Sequence, residues 1–195
     1  LAHITRIQKI PQEDCLMMDQ FTLRNLEIVY PVNKDGKSLL DIVDRTRTPM
    51  GGRLLRRRII LPLKKVVEIN RRLSLIEFFN DEDQLKFEIQ TLLKSISDLD
   101  RLMGKLAAEK VSPKELGYLR QSLININIIK GMLEPYGDLP AWLEPLNDLT
   151  ALTEYLILNL NEELPVSLSK GNVIRAGVSD DLDYLRGLQQ RGKSF

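Results

Sequence analysis

Ser112-Pro113-Lys114-Glu115-Leu116-Gly117-Tyr118-Leu119-Arg120-Gln121-Ser122-Leu123 opens the stretch that decides the fold. A serine N-cap, a proline at the first helical position and a glutamate reaching back make a capping box. Beyond it Leu116, Leu119, Leu123, Ile126, Ile129 and Leu133 recur at steps of three and four, and Ile124 and Ile128 widen the stripe. That period is helical, and its breadth predicts a helix buried on much of its circumference. Such a helix needs other helices around it.

They are legible on both sides. Downstream, a Pro/Gly-rich loop around 134–140 precedes a second long stripe: Trp142, Leu146, Leu149, Leu152, Leu156 and Leu160, ended by Pro165. Residues 171–177 read as a short extended linker, and Ser179-Asp180-Asp181 caps a last helix carrying Leu182, Leu185 and Leu188. Upstream, helices are expected over 98–109, 84–95 and 66–79. Thr48-Pro49 is a further N-cap with proline at the first position, and its helix should stop before Pro62. Gly51 and Gly52 in its first turns each cost about 1 kcal/mol against alanine, so a close backbone contact is expected there. Ser38 can cap a helix over 39–46. Only the first thirty residues suit strands: Cys15-Leu16-Met17-Met18 and Leu26-Glu27-Ile28-Val29-Tyr30 are short apolar runs, with at most one helical turn between them. The expected fold is mainly α, a multi-helix bundle with a small N-terminal β element.

Composition agrees. The 195 residues hold 35 leucines, and 28 Lys plus Arg stand against 27 Asp plus Glu. A net charge of +1 gives no overall electrostatic signature for nucleic acid or an acidic membrane. One Cys and one His cannot build a structural zinc site or a disulfide framework. No run approaches the ~18 apolar residues of a membrane span, and the first residues lack a signal-peptide layout. The expectation is a cytoplasmic protein without a membrane partner. The chain starts with Leu and stops at Phe195 without a closing signal, so an excised segment of something longer is expected.

Candidate chemistry is sparse. Gly187-Leu188-Gln189-Gln190-Arg191-Gly192-Lys193-Ser194 satisfies the phosphate-loop formula. The chemistry also needs a strand before the loop and a helix N-terminus after it, and here an amphipathic helix precedes and only Phe195 follows. The stretch 31–38, ending Gly36-Lys37-Ser38, has Pro31 in place of the first glycine and reads as a turn before a capped helix. His3 has no acid or thiol at ligand spacing, and Cys15 reads as a small buried hydrophobe. Asp98, Asp100, Asp180, Asp181 and Asp183 sit in helix first turns, where they complement the dipole. No catalytic or metal residue is expected.

The basic cluster Arg45, Arg47, Arg53, Arg56, Arg57 and Arg58 has two readings. One is a solvated helix face, favoured because no aromatic residues interleave. The other is a phosphate or interdomain contact through Arg53, Arg56, Arg57 and Arg58. Arg58 follows Leu54 by four, on the side taken as apolar, so it should snorkel outward or meet an acid.

Taken together, several stretches resemble one family. Asp14-Cys15-Leu16-Met17-Met18-Asp19 with Thr22-Leu23-Arg24-Asn25-Leu26-Glu27 is similar to the opening of the core domain of the MutS family of DNA mismatch repair proteins. Leu39-Leu40-Asp41 and Asp44-Arg45-Thr46-Arg47-Thr48-Pro49-Met50-Gly51-Gly52-Arg53-Leu54-Leu55 resemble its most recognisable non-ATPase stretch. Pro62-Leu63, Arg71-Arg72-Leu73, Asp98-Leu99-Asp100-Arg101-Leu102, Gly171-Asn172-Val173-Ile174-Arg175 and Leu182-Asp183-Tyr184-Leu185 continue the likeness along the chain. Arg58 departs from it, standing where many relatives have tryptophan, as do Ala176 and Val178, often Asp and Tyr.

The resemblance implies a core domain over 1–170 and, over 171–195, the start of a lever helix leading toward a DNA clamp. It implies a non-enzymatic segment that relays conformational change between ATPase and clamp. ATP and Mg would belong to the parent and no cofactor to this stretch; the parent's partners would be mismatched double-stranded DNA, a second copy and other MutS domains. Two alternatives stand beside it: the core of a MutS relative acting in recombination control, and an independent helical DNA-binding module using the arginines of 45–58.

Overall fold

The computed structural model of the chain describes residues 14–136 and 149–192. Trp142 and Leu146 of the second stripe, His3, and Lys193 and Ser194 lie outside the described residues. Nine α-helices occur among the described residues: α1 Gln20–Asn25, α2 Leu39–Val43, α3 Pro49–Ile60, α4 Val66–Asp81, α5 Asp83–Lys94, α6 Leu99–Ala107, α7 Pro113–Leu133, α8 Thr150–Asn159 and α9 Asp180–Gly192.

Several helix starts fall where the local chemistry puts them, while α4, α5 and α8 begin without a side-chain cap. Ser38 and Ser112 each form a complete capping box, with Asp41 and Glu115 reaching back to the cap N–H. Thr48 caps α3 through Gly51 N–H at 3.0 Å, and Asp98 caps α6 through Arg101 N–H at 3.3 Å. Ends are less local. The helix expected over 39–46 stops at Val43 because the Asp44 carboxylate captures the Thr46 N–H at 2.9 Å and hydroxyl at 2.7 Å. The helix expected over 98–109 stops at Ala107, closed by Glu109 at φ +55° in the left-handed region. Glu109 N–H reaches Leu106 O and Lys110 N–H reaches Lys105 O, the paired bonds of a Schellman ending.

The N-terminal β element is not formed among the described residues. Among the described residues there are no strands, only single antiparallel bridges, Cys15 with Leu63 and Leu160 with Ile174. The run 26–30 is a turn because its backbone is already spoken for. Ile28 N–H closes α1 onto Leu23 O at 3.0 Å, and Glu27 sits at φ +49°. The carbonyls of Glu27 and Ile28 accept the first N–H groups of α2, from Leu39 and Leu40, at 2.9 and 3.0 Å. Those donors have no partner inside their own helix, so this use competes successfully with strand pairing.

α7 organises the bundle. It packs against α5, α6 and α8, while α4 packs on α5. Its first half supplies Leu119 and Leu123 to a core completed by Leu102, Leu156, Leu160 and Val173. Its C-terminal end supplies Leu133 to a second cluster with Leu85 and Ile89, flanked by Phe78, Phe79, Ile129 and Met132. With 21 residues, α7 spans about 30 Å and joins the two clusters. Buried polar groups fix its register. The fully buried Ser122 hydroxyl accepts from Ser97 N–H at 3.0 Å and donates to Tyr118 O at 2.7 Å. Asn125 donates to Ser95 Oγ and Asn127 to Thr153 Oγ1, each at 3.2 Å.

No helix among the described residues is long and apolar enough to cross a membrane. On α9, Leu185 and Leu188 are exposed and Leu182 is half-buried.

Candidate functional site

The basic face is carried by α3. Its inward row is Leu55 and Ile59, both half-buried, and its first turn is held close to the preceding loop. A Cβ on Gly51 would stand 3.0 Å from Thr48 Oγ1, the cap hydroxyl itself, so the expected close contact is present. The expectation that Leu54 and Arg58 share the apolar side is corrected. Leu54 is exposed at 47% and Arg58 is exposed too, because the packing selects the neighbouring row.

The four candidate arginines are not equivalent. Arg53 is bound inside the fold: its guanidinium forks onto both carboxylate oxygens of Asp98 at 2.7 and 2.8 Å and reaches Asp100 at 2.7 Å. The pair ties α3 to the N-terminus of α6, and the fork geometry is the strong form of such contacts. Arg56 lies over the Tyr30 ring at 5.1 Å and donates to its hydroxyl at 2.6 Å, and both line a 490 Å³ hollow with Leu23, Val29 and Ile60. Arg57 and Arg58 have no ion pair and no side-chain hydrogen bond among the described residues. Partial burial, and then the neighbouring Arg72, lower the affinity of the Arg58 guanidinium for its proton. Of the cluster's remaining members, Arg47 donates to Gln90 Oε1 on α5 at 3.1 Å and Arg45 to the Asp44 carbonyl at 3.3 Å.

Two carboxylates around this frame are held down to about 2. The Arg53 hydrogen bond, and then the Arg101 N–H, do this to Asp98. For Glu115 the Lys105 ammonium acts first and the Ser112 cap bonds second. A carboxylate whose pKa falls on folding stabilises the fold above its unfolded pKa and loses that contribution as pH drops through its folded value. Stability is therefore expected to hold from neutral pH to about 5 and to fall between about 5 and 2. Urea midpoints at pH 7, 5, 3 and 2 test this. Asp98→Asn should lower the midpoint at pH 7 and flatten the acid slope; an unchanged slope would count against the assignment.

Sequence reasoning missed a polar junction before the last helix. Arg120 of α7 donates to three consecutive carbonyls, Leu160 at 3.2 Å, Asn161 at 2.8 Å and Glu162 at 2.8 Å, where α8 ends. The Asn161 amide donates to Asn172 and to Ile174 O at 3.1 Å, and Arg186 of α9 donates to the same Ile174 carbonyl at 2.7 Å. Asp183, read from sequence as a dipole partner, also accepts from Gly177 N–H at 2.6 Å and from Arg186 at 2.9 Å. The linker 171–177 is thus bound on both sides. Arg120 gave no sequence signal that sets it apart from the other polar residues of α7.

The phosphate-loop match fails structurally. Gly187 and Gly192 lie within α9, whose backbone N–H groups serve the helix instead of a phosphate cradle. In the stretch 31–38 Gly36 N–H closes a turn onto Asn33 O at 3.0 Å, and Ser38 begins a helix of five residues. Among the described residues no group of three or more His, Cys, Asp or Glu side chains is placed to hold a metal. Cys15 is a half-buried free thiol.

Comparison with known proteins gives one consistent result. The family model described as MutS domain III matches residues 21–192. The DNA mismatch repair protein MutS of Flavobacterium psychrophilum is 40% identical over 197 aligned residues, covering 100% of this chain and 23% of that protein. The proteins of the same name from Flavobacterium johnsoniae and Christiangramia forsetii are 41% and 38% identical, again over 100% of this chain and 23% of their own length. The chain thus spans 23% of the length of these curated relatives. With the family model matching most of the chain and the whole of it aligning to these relatives, the chain belongs to the MutS domain III family.

Proposed function

We propose that this chain is the structural core of a MutS-type DNA mismatch repair protein, joining the parent's ATPase to its DNA clamp and relaying conformational change between them. The observation that carries the reading is collinear identity of 40% and 41% over the entire chain with proteins named DNA mismatch repair protein MutS. In this reading residues 1–170 form the core and 171–195 begin the lever. The parent is cytoplasmic, acts as a dimer on mismatched duplex DNA, and binds ATP and Mg outside this stretch. The segment's contribution is mechanical. Packed cores shift between discrete arrangements instead of deforming smoothly, and a long helix shared by two clusters suits that task.

Replacing the matching stretch of the Flavobacterium johnsoniae protein by this chain tests the reading. In a strain lacking its own MutS, the chimera is expected to bring the mutation rate back toward that of the wild type; a rate equal to the deletion strain would overturn it. Equilibrium dialysis with labelled ATP should find no micromolar site on the isolated chain. A second reading, a helical DNA-binding module, draws on Arg57 and Arg58 having no ion pair among the described residues. A strong duplex mobility shift by the isolated chain, weakened steeply by salt, would favour it.

A further inference from the structure

The chain enters α9 through a joint whose two sides are held differently. On the inner side the end of α8 and residues 172–175 are one piece with the bundle. Asn161 N–H reaches Val173 O at 3.0 Å and Arg175 N–H reaches Asn159 O at 2.8 Å, on either side of the Leu160–Ile174 bridge. Leu160 and Val173 are buried in the core cluster, and Arg120 of α7 clamps the carbonyls of Leu160, Asn161 and Glu162. On the outer side Ala176, Gly177 and Val178 are all exposed. Gly177 stands at φ +84°, in the left-handed region that favours glycine, and beyond its chain neighbours no described atom lies within 4 Å of where a Cβ would be. Among the described residues α9 supplies no side chain to either core cluster. Two polar contacts tie it back instead. Arg186 donates to Ile174 O at 2.7 Å, and Asp183 accepts from Gly177 N–H at 2.6 Å, while Arg186 and Asp183 pair with each other at 2.9 Å. Those side chains keep 27% and 32% of their surface in solvent, so the contacts can open without uncovering the core.

We propose that Arg186 and Asp183 form a latch that sets the direction in which α9 leaves the bundle, and that α9 swings as an intact helix about residues 176–178 when the latch opens. Hinges are a few loop residues that absorb the backbone rotation while the flanking elements stay rigid. Gly177 is the pivot, being open to backbone conformations that a side chain would resist. Arginine suits the latch because its planar fork serves two acceptors at once, the last fixed carbonyl through one nitrogen and the Asp183 carboxylate through the other. The inner side of the joint is bonded to α7 through Arg120, so a displacement of α7 arrives at the pivot instead of being lost in a loose linker. The latch takes its purpose from the reading above, in which α9 begins a lever, while its geometry stands apart from that reading.

The test is pulsed electron paramagnetic resonance on the full-length polypeptide freed of its native cysteines, Cys15 among them. One spin-label pair, Lys114→Cys with Gln189→Cys, spans α7 and α9; a second, Lys114→Cys with Glu154→Cys, lies within the bundle. With the latch intact both pairs should give one narrow distance distribution. Arg186→Gln should make the α7–α9 distribution about two-fold wider or more and leave the bundle pair unchanged, and Asp183→Ala should do the same. Amide exchange of residues 182–189 should stay protected in both variants, the mark of a helix that swings without melting. An α7–α9 distribution that is already broad with the latch intact, or unchanged in both variants, would overturn the proposal. So would equal broadening of the two pairs, or loss of protection along α9. A chimera that fails to restore repair while these distances behave as expected would sink the mismatch repair reading and leave the latch standing.

Discussion

Leu123→Ala is expected to lower the unfolding free energy by about 2–5 kcal/mol. Leu123 is 5% exposed and sits in the cluster formed by Leu102, Leu119, Leu156, Leu160 and Val173. Those neighbours come from α6, α7, α8 and the segment after α8, so the removed methyl groups leave a space that four separate pieces of chain would have to close. Partial relaxation leaves a cavity, and its cost adds to the lost burial. Against a typical total of about 5–15 kcal/mol the loss is large. Urea unfolding monitored by circular dichroism measures it, and Leu185→Ala on the exposed face of α9 supplies the control. That second change should stay within about 0.5 kcal/mol, because Leu185 is already 59% exposed. Equal effects at the two positions would mean that the cluster around Leu123 is not the core.

Features decided within four residues were legible in the sequence. The capping boxes at Ser38 and Ser112 and the Thr48-Pro49 start needed only a serine or threonine, its neighbours and the orphan N–H groups of a first turn. Long stripes gave α7 for the same reason. Failures came where a distant partner decided the outcome. The run 26–30 has the residues of a strand, but α2 claims its carbonyls through Leu39 and Leu40. On α3 both Leu54 and Leu55 are apolar, and period alone cannot choose between adjacent rows. In the fold Leu55 is half-buried and Leu54 is 47% exposed, so tertiary packing makes the choice.

The candidate site divides in the same way. The arginine cluster was visible as a count of charges, yet its members meet different fates according to partners far along the chain. Arg53 finds Asp98 across 45 positions and Arg56 finds Tyr30 across 26. Reading Asp98 as a dipole partner was correct for its own helix and silent about the fork it offers to α3. Arg57 and Arg58 remain outward, which narrows the question of an external contact from six arginines to two. The family resemblance, by contrast, survives such local errors because it is spread over the whole chain.

The relay reading depends on α7 acting as one rigid member, and a proline at its exposed position 128 tests that directly. Ile128 is 45% exposed and lies between Leu123 of one cluster and Leu133 of the other. Proline there removes the N–H that would bond the carbonyl of Ile124 and sets its ring against that carbonyl, a cost of about 3 kcal/mol or more. Little burial is lost, so Ile128→Ala isolates the backbone contribution and should cost far less. The expected result is a loss of amide protection concentrated around Leu85, Ile89 and Leu133, with the Leu119 and Leu123 turns holding theirs. That pattern would mean the second cluster is held in place through α7, so that a displacement at one end must be felt at the other. Equal loss in both clusters would instead make the bundle a single cooperative unit, in which α7 has no special part. Unchanged protection in both would show that α5, through its own contacts with α4 and α7, keeps the clusters in register without a continuous helix.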